Sequence, residues 1–317
     1  MKNSFSGLSE RIIRTSIDWS GAGLLLVDYL AGRFTYRTSE QWRERIIAGE
    51  ITLNGKNIPP ETPLALHDCI EYRPGDIQEP PADLDFKTVY EDDSLCVIDK
   101  PGNLCMHPAG PFFKNTLWHQ LCRRYGEIHF INRLDRETSG LLLAAKNSAA
   151  AKIINKNRTV SAKNYAVIVH GEFPEYLEAC GFIFNAGNLI RKQRKFAFEM
   201  PQQQTFETAV TKFARIRCGN GFSLLKADLS TGRMHQIRAT LHSLGYPVAG
   251  DKLYGVDSSF YLKQKSDELT ENDRKQLILS RQALHSQELI FTHPFSGEKL
   301  CFASELPDEF KKITDNM

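Results

Sequence analysis

Residues 132–146, NRLDRETSGLLLAAK, place one carboxylate, Asp135, between two arginines, Arg133 and Arg136. Thr138, Ser139 and Gly140 lead from it into an apolar run that reads as a strand. A carboxylate at a strand mouth, flanked by cations, tends to stay ionised. That is the state a nucleophile or general base needs. Residues 163–171, KNYAVIVHG, put Tyr165 at the opening of a second apolar strand, with Lys163 just before it. An aromatic ring at such a mouth can stack on a flipped base. In residues 230–255, Thr231-Gly232 reads as a turn before a helix bearing Arg233 and Arg238. A guanidinium is the best partner for a buried carboxylate because it can bind it with two parallel hydrogen bonds. Taken singly, each segment also fits a plainer role: a surface ion-pair loop, a rim tyrosine, a structural salt bridge.

Other chemistries lack their residues. The chain has no P-loop, no strand-linked G-x-G-x-x-G, no G-x-S-x-G elbow and no H-E-x-x-H. His235 and His242 are seven residues apart on one expected helix, a spacing that suits packing or RNA contact better than a metal. No metal, nucleotide or other cofactor is expected. The seven cysteines are scattered with no C-x-x-C, which argues against a zinc ribbon or a disulfide framework and fits a reducing cytoplasm. No run approaches the roughly 18–20 apolar residues of a membrane span. The opening MKNSFSGLSERIIRTS has no long apolar stretch, so no secretory signal and no membrane partner are expected.

The elements that must position these residues fall into two groups. Residues 1–20 read as an N-terminal extension and 21–76 as a small module. Within the module LLLVDYLAG is an expected helix, and TSEQWRERIIAGE a second, capped by Thr38 or Ser39 and ended at Gly49. ITLNGKNI is broken by Asn54-Gly55, a strong hairpin signal, and a strand near CIEYRP closes the module. This I-x-x-G-x-I-x-x-N-G pattern after two helices resembles the S4-type RNA-binding module. In that resemblance Arg37, Arg43, Arg45 and Lys56 would face RNA. The proline-rich, acidic stretch 77–85 reads as a linker. Residues 86–317 read as one α+β domain. Its expected strands lie in TVYEDDSLCVIDKP, SGLLLAAK, NYAVIVHGEF and SLLKADLST. Helices are expected in TLWHQLCRRY and MHQIRATLHSLG, and exposed polar structure over 263–282.

The 317 residues carry 40 Lys and Arg against 38 Asp and Glu, a net charge of only +2. By segment the balance is uneven. Residues 1–80 sum to −2, 81–99 to −5, 100–252 to +12 and 253–317 to −3. The basic window contains Asp135, Tyr165 and Arg238. It also contains RKQRKFAF (191–198), four cations beside two aromatics, a pattern that suits a backbone-tracking RNA contact.

Together, R-L-D-x-x-T-S-G, K-x-Y-x-x-x-V-x-G and T-G-R-x-H-Q-I-R with a following G-D-x-x-Y-G resemble the RluA-type pseudouridine synthases. KPGNLCMHPAG (100–110) and RQALHSQELIFTHPFSGE (281–298) fit the same family, so the resemblance spans about 86–310. It implies the pseudouridine synthase fold: a long mixed, largely antiparallel sheet with packed helices and a central cleft. It implies an isomerase that converts uridine to pseudouridine in structured RNA, either large-subunit rRNA or tRNA. Asp135 then matches the catalytic aspartate, Tyr165 the tyrosine that stacks on the uracil, and Arg238 the arginine that pairs with the aspartate. Arg133 matches the arginine that enters the RNA stack, and Lys163, Arg233, His235 and Ile237 fall among the expected RNA contacts. Whether Asp135 attacks the sugar, attacks the base or removes a sugar proton stays open. Two positions depart from the family: Asn132 stands where most members have His, and Met234 where they have Thr or Ser. The chain is expected to act as a cytoplasmic monomer. A non-catalytic RNA-binding relative would have lost the aspartate or its partner, and a hydrolase would need a second carboxylate or a metal.

Overall fold

The computed structural model describes residues 11–34, 36–73, 78–157, 159–187, 190, 192–202 and 205–317. The chain divides into two compact units, residues 1–82 with 107–126, and residues 83–106 with 127–317.

The first unit contains β1 (Ile13–Ser16), α1 (Leu26–Arg33), α2 (Ser39–Ile47), β2 (Ile51–Leu53), β3 (Cys69–Tyr72) and α3 (Leu117–Tyr125). Thr38 caps α2: its hydroxyl accepts from the Gln41 amide, and the Gln41 side chain accepts from the Thr38 amide. Asn54 and Gly55 both adopt positive φ, 51° and 76°, as a two-residue hairpin turn requires. The hairpin beyond the turn is a single bridge, Leu53 to Lys56, and the real partner of β2 is β3. The strand β1 pairs with the other edge of β3, giving the order β1-β3-β2. Ile13–Ser16 is therefore part of the module's sheet rather than of an extension: β3 would otherwise leave one edge of its backbone unpaired. Leu26, Leu30, Trp42, Ile46, Ile51, Ile70 and Tyr72 form the buried core.

Two sequence boundaries shift. Within the stretch expected as linker, the Glu79 carboxylate accepts the amides of Phe113 (2.9 Å), Lys114 (2.7 Å) and Asn115 (2.7 Å). That anchor, just ahead of α3, places 107–126 with the first unit, whereas the sequence groups it with the second. Residues 74–77, which include the start of that linker, and Arg191 of the RKQRKFAF stretch lie outside the described residues.

The second unit is built on an eleven-stranded sheet. In chain order it has β4 (Lys87–Glu91), β5 (Leu95–Lys100), β6 (His129–Phe130), β7 (Ser139–Ala145), α4 (Ser148–Asn157) and β8 (Val160–His170). Next come β9 (Tyr176–Asn185), β10 (Arg194–Ala197), β11 (Phe206–Gly219), β12 (Phe222–Leu229) and α5 (Gln236–Ser243). Then follow α6 (Ser259–Lys265), α7 (Glu271–Leu277), β13 (Leu284–Thr292), β14 (Lys299–Ala303) and α8 (Asp308–Thr314). The main path is β10-β9-β11-β12-β8-β13-β7-β5-β4, with β14 on β13 and β6 on β7. Every pairing is antiparallel except β13 with β7. This is the mixed, largely antiparallel sheet that the family resemblance implies. All seven residues of β7 are buried, which explains its unbroken apolar run: both faces are covered, so nothing alternates. On one face Leu141 and Leu143 pack with Ala150 and Ile154 of α4. The region 263–282 holds the end of α6 and the whole of α7.

The parallel contact is short: Ser139 opposite His285, and Gly140 opposite Ser286. Gly140 has φ +103°, and a Cβ there would lie 2.2 Å from the Ser286 carbonyl oxygen. Gly140→Ala is therefore expected to cost about 2–4 kcal/mol, from backbone strain plus a clash that only strand separation relieves. Urea denaturation would show it as a lowered midpoint with an unchanged slope.

Candidate active site

A cavity of about 380 Å³ opens over the centre of the second unit's sheet. Asp135, Arg133, Lys163, Tyr165, Arg233, His235, Ile237 and Arg238 all line it, so the residues singled out in the three sequence segments meet in one place. Arg133 and Arg233 stand at its edge, partly or fully exposed; Arg233 is tied to the Thr208 carbonyl (3.1 Å) and to Glu207 (3.0 Å). The other four named residues, Arg37, Arg43, Arg45 and Lys56, belong to the first unit. Arg43 pairs there with Glu61 and Arg45 with Glu50, while the Arg37 guanidinium lies 5.8 Å from the Trp42 ring centroid.

Asp135 sits in the turn between β6 and β7, where its carbonyl accepts the Thr138 amide (3.1 Å). Its Oδ2 accepts Arg238 Nη1 at 2.5 Å. Arg238 comes from α5 and is 7% exposed. Its Nε and Nη2 donate to the two oxygens of Asp251, at 2.6 and 2.9 Å. Burial pushes the Asp135 carboxyl up, but the Arg238 guanidinium and the nearby His235 ring outweigh it and hold the group below the usual carboxylate range. About a third of its side chain, 32%, stays open to the cavity. The result is an ionised carboxylate presented to whatever enters.

His235 precedes α5 with φ +57°. Its Nδ1 is 2.9 Å from the Tyr254 hydroxyl, which also accepts the Arg194 amide (2.8 Å). The hydroxyl's own proton then goes to Nδ1, which leaves the ring proton on Nε2, 3.8 Å from Asp135 Oδ1. Burial lowers the His235 pKa to about 4, so the ring is neutral at neutral pH. Burial pushes the Tyr165 phenol up to about 12, so it keeps its proton. Tyr165 is therefore a ring and a hydrogen-bond donor at neutral pH, not a resting phenolate.

The backbone around Asp135 is held by groups that the sequence segments did not single out. Lys100, at the end of β5, is fully buried and donates to the carbonyls of Pro101 (2.8 Å), Leu104 (3.1 Å) and Arg136 (3.1 Å). Burial, with Arg281 nearby, lowers its pKa to about 7. Thr138 accepts from Gln282 (2.6 Å), and Ser139 is bonded to His285 (2.9 Å). The departures from the family pattern have different settings. Asn132 Oδ1 accepts the Leu143 amide (2.8 Å), a structural bond, while its Nδ2 is buried without a partner. Met234 lines the cavity and is 42% exposed.

Fold and site together define a class: a pseudouridylate synthase architecture with one ionised, arginine-paired carboxylate facing a cavity that also holds a tyrosine ring. Residues 94–243 match the family described as RNA pseudouridylate synthase. An RNA pseudouridine synthase of Chlorobaculum parvum is 32% identical over 308 residues, covering 91% of this chain and 92% of that protein. The ribosomal large subunit pseudouridine synthase D of Vibrio cholerae is 31% identical over 308 residues, covering 93% and 91%. The human RNA pseudouridylate synthase domain containing 1 superposes with a TM-score of 0.55 and 25% identity, over 72% of this chain and 86% of that one. The chain belongs to the RNA pseudouridine synthase family. It is an enzyme, an isomerase that turns uridine into pseudouridine in RNA.

Proposed function

We propose that Asp135 is the catalytic residue of this isomerisation, that Tyr165 holds the uracil ring and that Arg238 fixes the carboxylate. The observation that carries this reading is the single hydrogen bond from Arg238 to Asp135 at the wall of the cavity that Tyr165 also lines. The reaction breaks the C1′–N1 bond, turns the freed uracil and forms a C1′–C5 bond. The proton leaving C5 balances the one gained at N1, so the product is an isomer and no cofactor is consumed. Such a reaction needs an ionised carboxylate at the ribose, a ring to retain the free base and little water. In this reading Arg238 keeps the carboxylate ionised, Tyr165 retains the freed base, and the nucleotide enters turned out of its stack.

The substrate is structured RNA, either large-subunit rRNA or tRNA. Relatives point both ways: the Vibrio cholerae protein is named for the ribosomal large subunit. A yeast relative, 34% identical over 237 residues, is named a mitochondrial tRNA pseudouridine(32) synthase. Arg133, Lys163 and Arg233 would meet the phosphates at the rim, with His235 and Ile237 beneath them. The first unit acts as an S4-like RNA-binding module, in which Arg37, Arg43, Arg45 and Lys56 face RNA. The Arg43–Glu61 pair is exposed, where solvent screens it, so it gives way readily to a phosphate. The enzyme works as a cytoplasmic monomer; among the described residues no helix is long and apolar enough to cross a membrane.

The test is to incubate the protein with unmodified large-subunit rRNA and with tRNA, then map pseudouridine at each position. New pseudouridine in one of the two pools is the expected result, and none in either would overturn the reading. In the same assay, Arg43→Ala with Lys56→Ala is expected to weaken RNA binding about 3- to 10-fold and spare the chemistry, as the loss of phosphate contacts should. Unaltered binding and site choice would remove the S4-like role.

A further inference from the structure

The turn 250–255, between α5 and α6, carries two adjacent charged residues, both buried: Asp251 is fully buried and Lys252 is 5% exposed. Asp251 Oδ1 accepts the amides of Leu253 (2.9 Å) and Tyr254 (3.0 Å), which fix the carboxylate to its own turn. From that fixed point it takes Arg238 Nε and Nη2. Lys252 reaches a different target. Its Nζ donates to both oxygens of Glu137 (3.0 Å each) and to the Ser280 carbonyl (2.7 Å). Glu137 is two residues past Asp135. One turn thus grips both the partner of Asp135 and the loop that carries Asp135.

We propose that Asp251 and Lys252 are positioning residues for the isomerisation: Asp251 occupies two of the three Arg238 nitrogens so that only the third reaches Asp135, and Lys252 anchors the Glu137 end of the same loop. The inference rests on Asp135 being the reactive carboxylate. A guanidinium with no second acid would bind both oxygens of Asp135, as arginine–carboxylate pairs tend to do. It would then cover the oxygen that must face the ribose. Shared between two carboxylates, Arg238 orients Asp135 while the trio keeps a net negative charge. The charged and titratable groups around Asp135 are Arg238 and His235 at the start of α5, Tyr165 on β8, Asp251 and Tyr254 on the turn, Lys100 at the end of β5, and Arg133, Lys163 and Arg233 along the cavity. Asp251 is the only other carboxylate in this set. Neutralising it leaves the cations unopposed and makes Asp135 a weaker base.

The experiment measures kcat and KM of Asp251→Asn on an RNA that the unaltered enzyme modifies, between about pH 2 and 9, with RNA affinity measured separately. The expected result is a kcat lower by about 100-fold, KM and affinity within about threefold, and an acid limb of the pH profile displaced to lower pH. Lys252→Gln is expected to lose about tenfold in kcat with the acid limb in place. Asp251→Glu keeps the charge and restores the limb while recovering only part of kcat. Turnover of Asp251→Asn within about threefold of the unaltered enzyme, with an unmoved limb, overturns the proposal. Should Asp251→Asn not fold, Asp251→Glu decides, because full turnover with the displaced carboxylate would also overturn it. If Asp135→Asn proved active, the underlying reading would fail; if Asp135→Asn were inactive and Asp251→Asn normal, only the positioning role would fail.

Discussion

Asp135→Asn is expected to abolish pseudouridine formation, by about 10⁴-fold or more, while RNA binding stays within about twofold. The substitution keeps the shape of the side chain and removes the charge. Arg238 still has both oxygens of Asp251, so the helix α5 stays where it is and the buried guanidinium keeps a partner. Folding stability should therefore change by no more than about 1 kcal/mol. What disappears is the one anion that the cavity presents to the ribose. The pH profile of the unaltered enzyme supplies a second check. Asp135 lies below the ordinary carboxylate range, His235 titrates at about 4 and Tyr165 at about 12. None of the three changes charge between about pH 5 and 9, so kcat should be flat across that interval apart from a single step near pH 7, where Lys100, which binds the Arg136 carbonyl, loses its proton. A bell centred near neutrality would mean that another group moves the proton. Turnover by Asp135→Asn within tenfold of the unaltered protein would remove Asp135 from the chemistry. An equal loss of RNA binding would make its role structural.

Much of this site was legible in the sequence because each piece is local. The carboxylate and its flanking arginines occupy four consecutive residues, and Tyr165 opens a short, continuous apolar run that reads as a strand buried on both faces. The Asn54-Gly55 turn and the Thr38 cap are equally local. The +2 total charge concealed the +12 window because it averaged over acidic flanks. What could not be read depends on contacts between distant residues. Asp135 and Arg238 are 103 positions apart, and nothing in the spacing says that Arg238 divides itself between two acids. Asp251 and Tyr254 were visible in G-D-x-x-Y-G, but a motif names residue types and not their partners. Lys100 is a further case. A lysine in a K-P-G turn reads as a solvated charge, and only the fold shows it capped by three carbonyls, one of them in the Asp135 loop. Ile13–Ser16 has four residues and no turn signal, so its strand follows from the open edge of β3 and not from its own pattern. Likewise the 107–126 segment joins the first unit through Glu79, whose carboxylate serves as the acceptor for three amides more than thirty residues away.

Arg238→Met is expected to damage stability and activity together, by a different route. Removing the guanidinium leaves Asp251, fully buried, without its cation, and Asp135 without its anchor. Breaking a buried pair on one side costs about 3–5 kcal/mol, because the remaining charge has lost both water and partner. The pH dependence should change sign as well as size. In the unaltered protein both carboxyls are held below their ordinary value of 3.8, chiefly by Arg238 working against burial. The unfolded chain therefore takes up protons first as the pH falls. The stabilisation is complete above about pH 4–5 and is lost as the pH falls through the depressed folded values. Without Arg238, burial dominates and raises Asp251 above its unfolded value. The folded chain then binds the proton first, so stability increases as the pH is lowered from 7 towards 5. Between pH 7 and pH 5 the urea midpoint of the variant should rise while that of the unaltered protein stays in place, so the two converge at the lower pH. Arg238→Lys refines the test: an ammonium keeps the charge but has no planar fork to hold two carboxylates at once. It should recover part of the stability and little of the turnover. Equal midpoint losses at both pH values would mean that Arg238 stabilises through packing against the Tyr254 ring, 5.0 Å from its guanidinium carbon, rather than through the two acids.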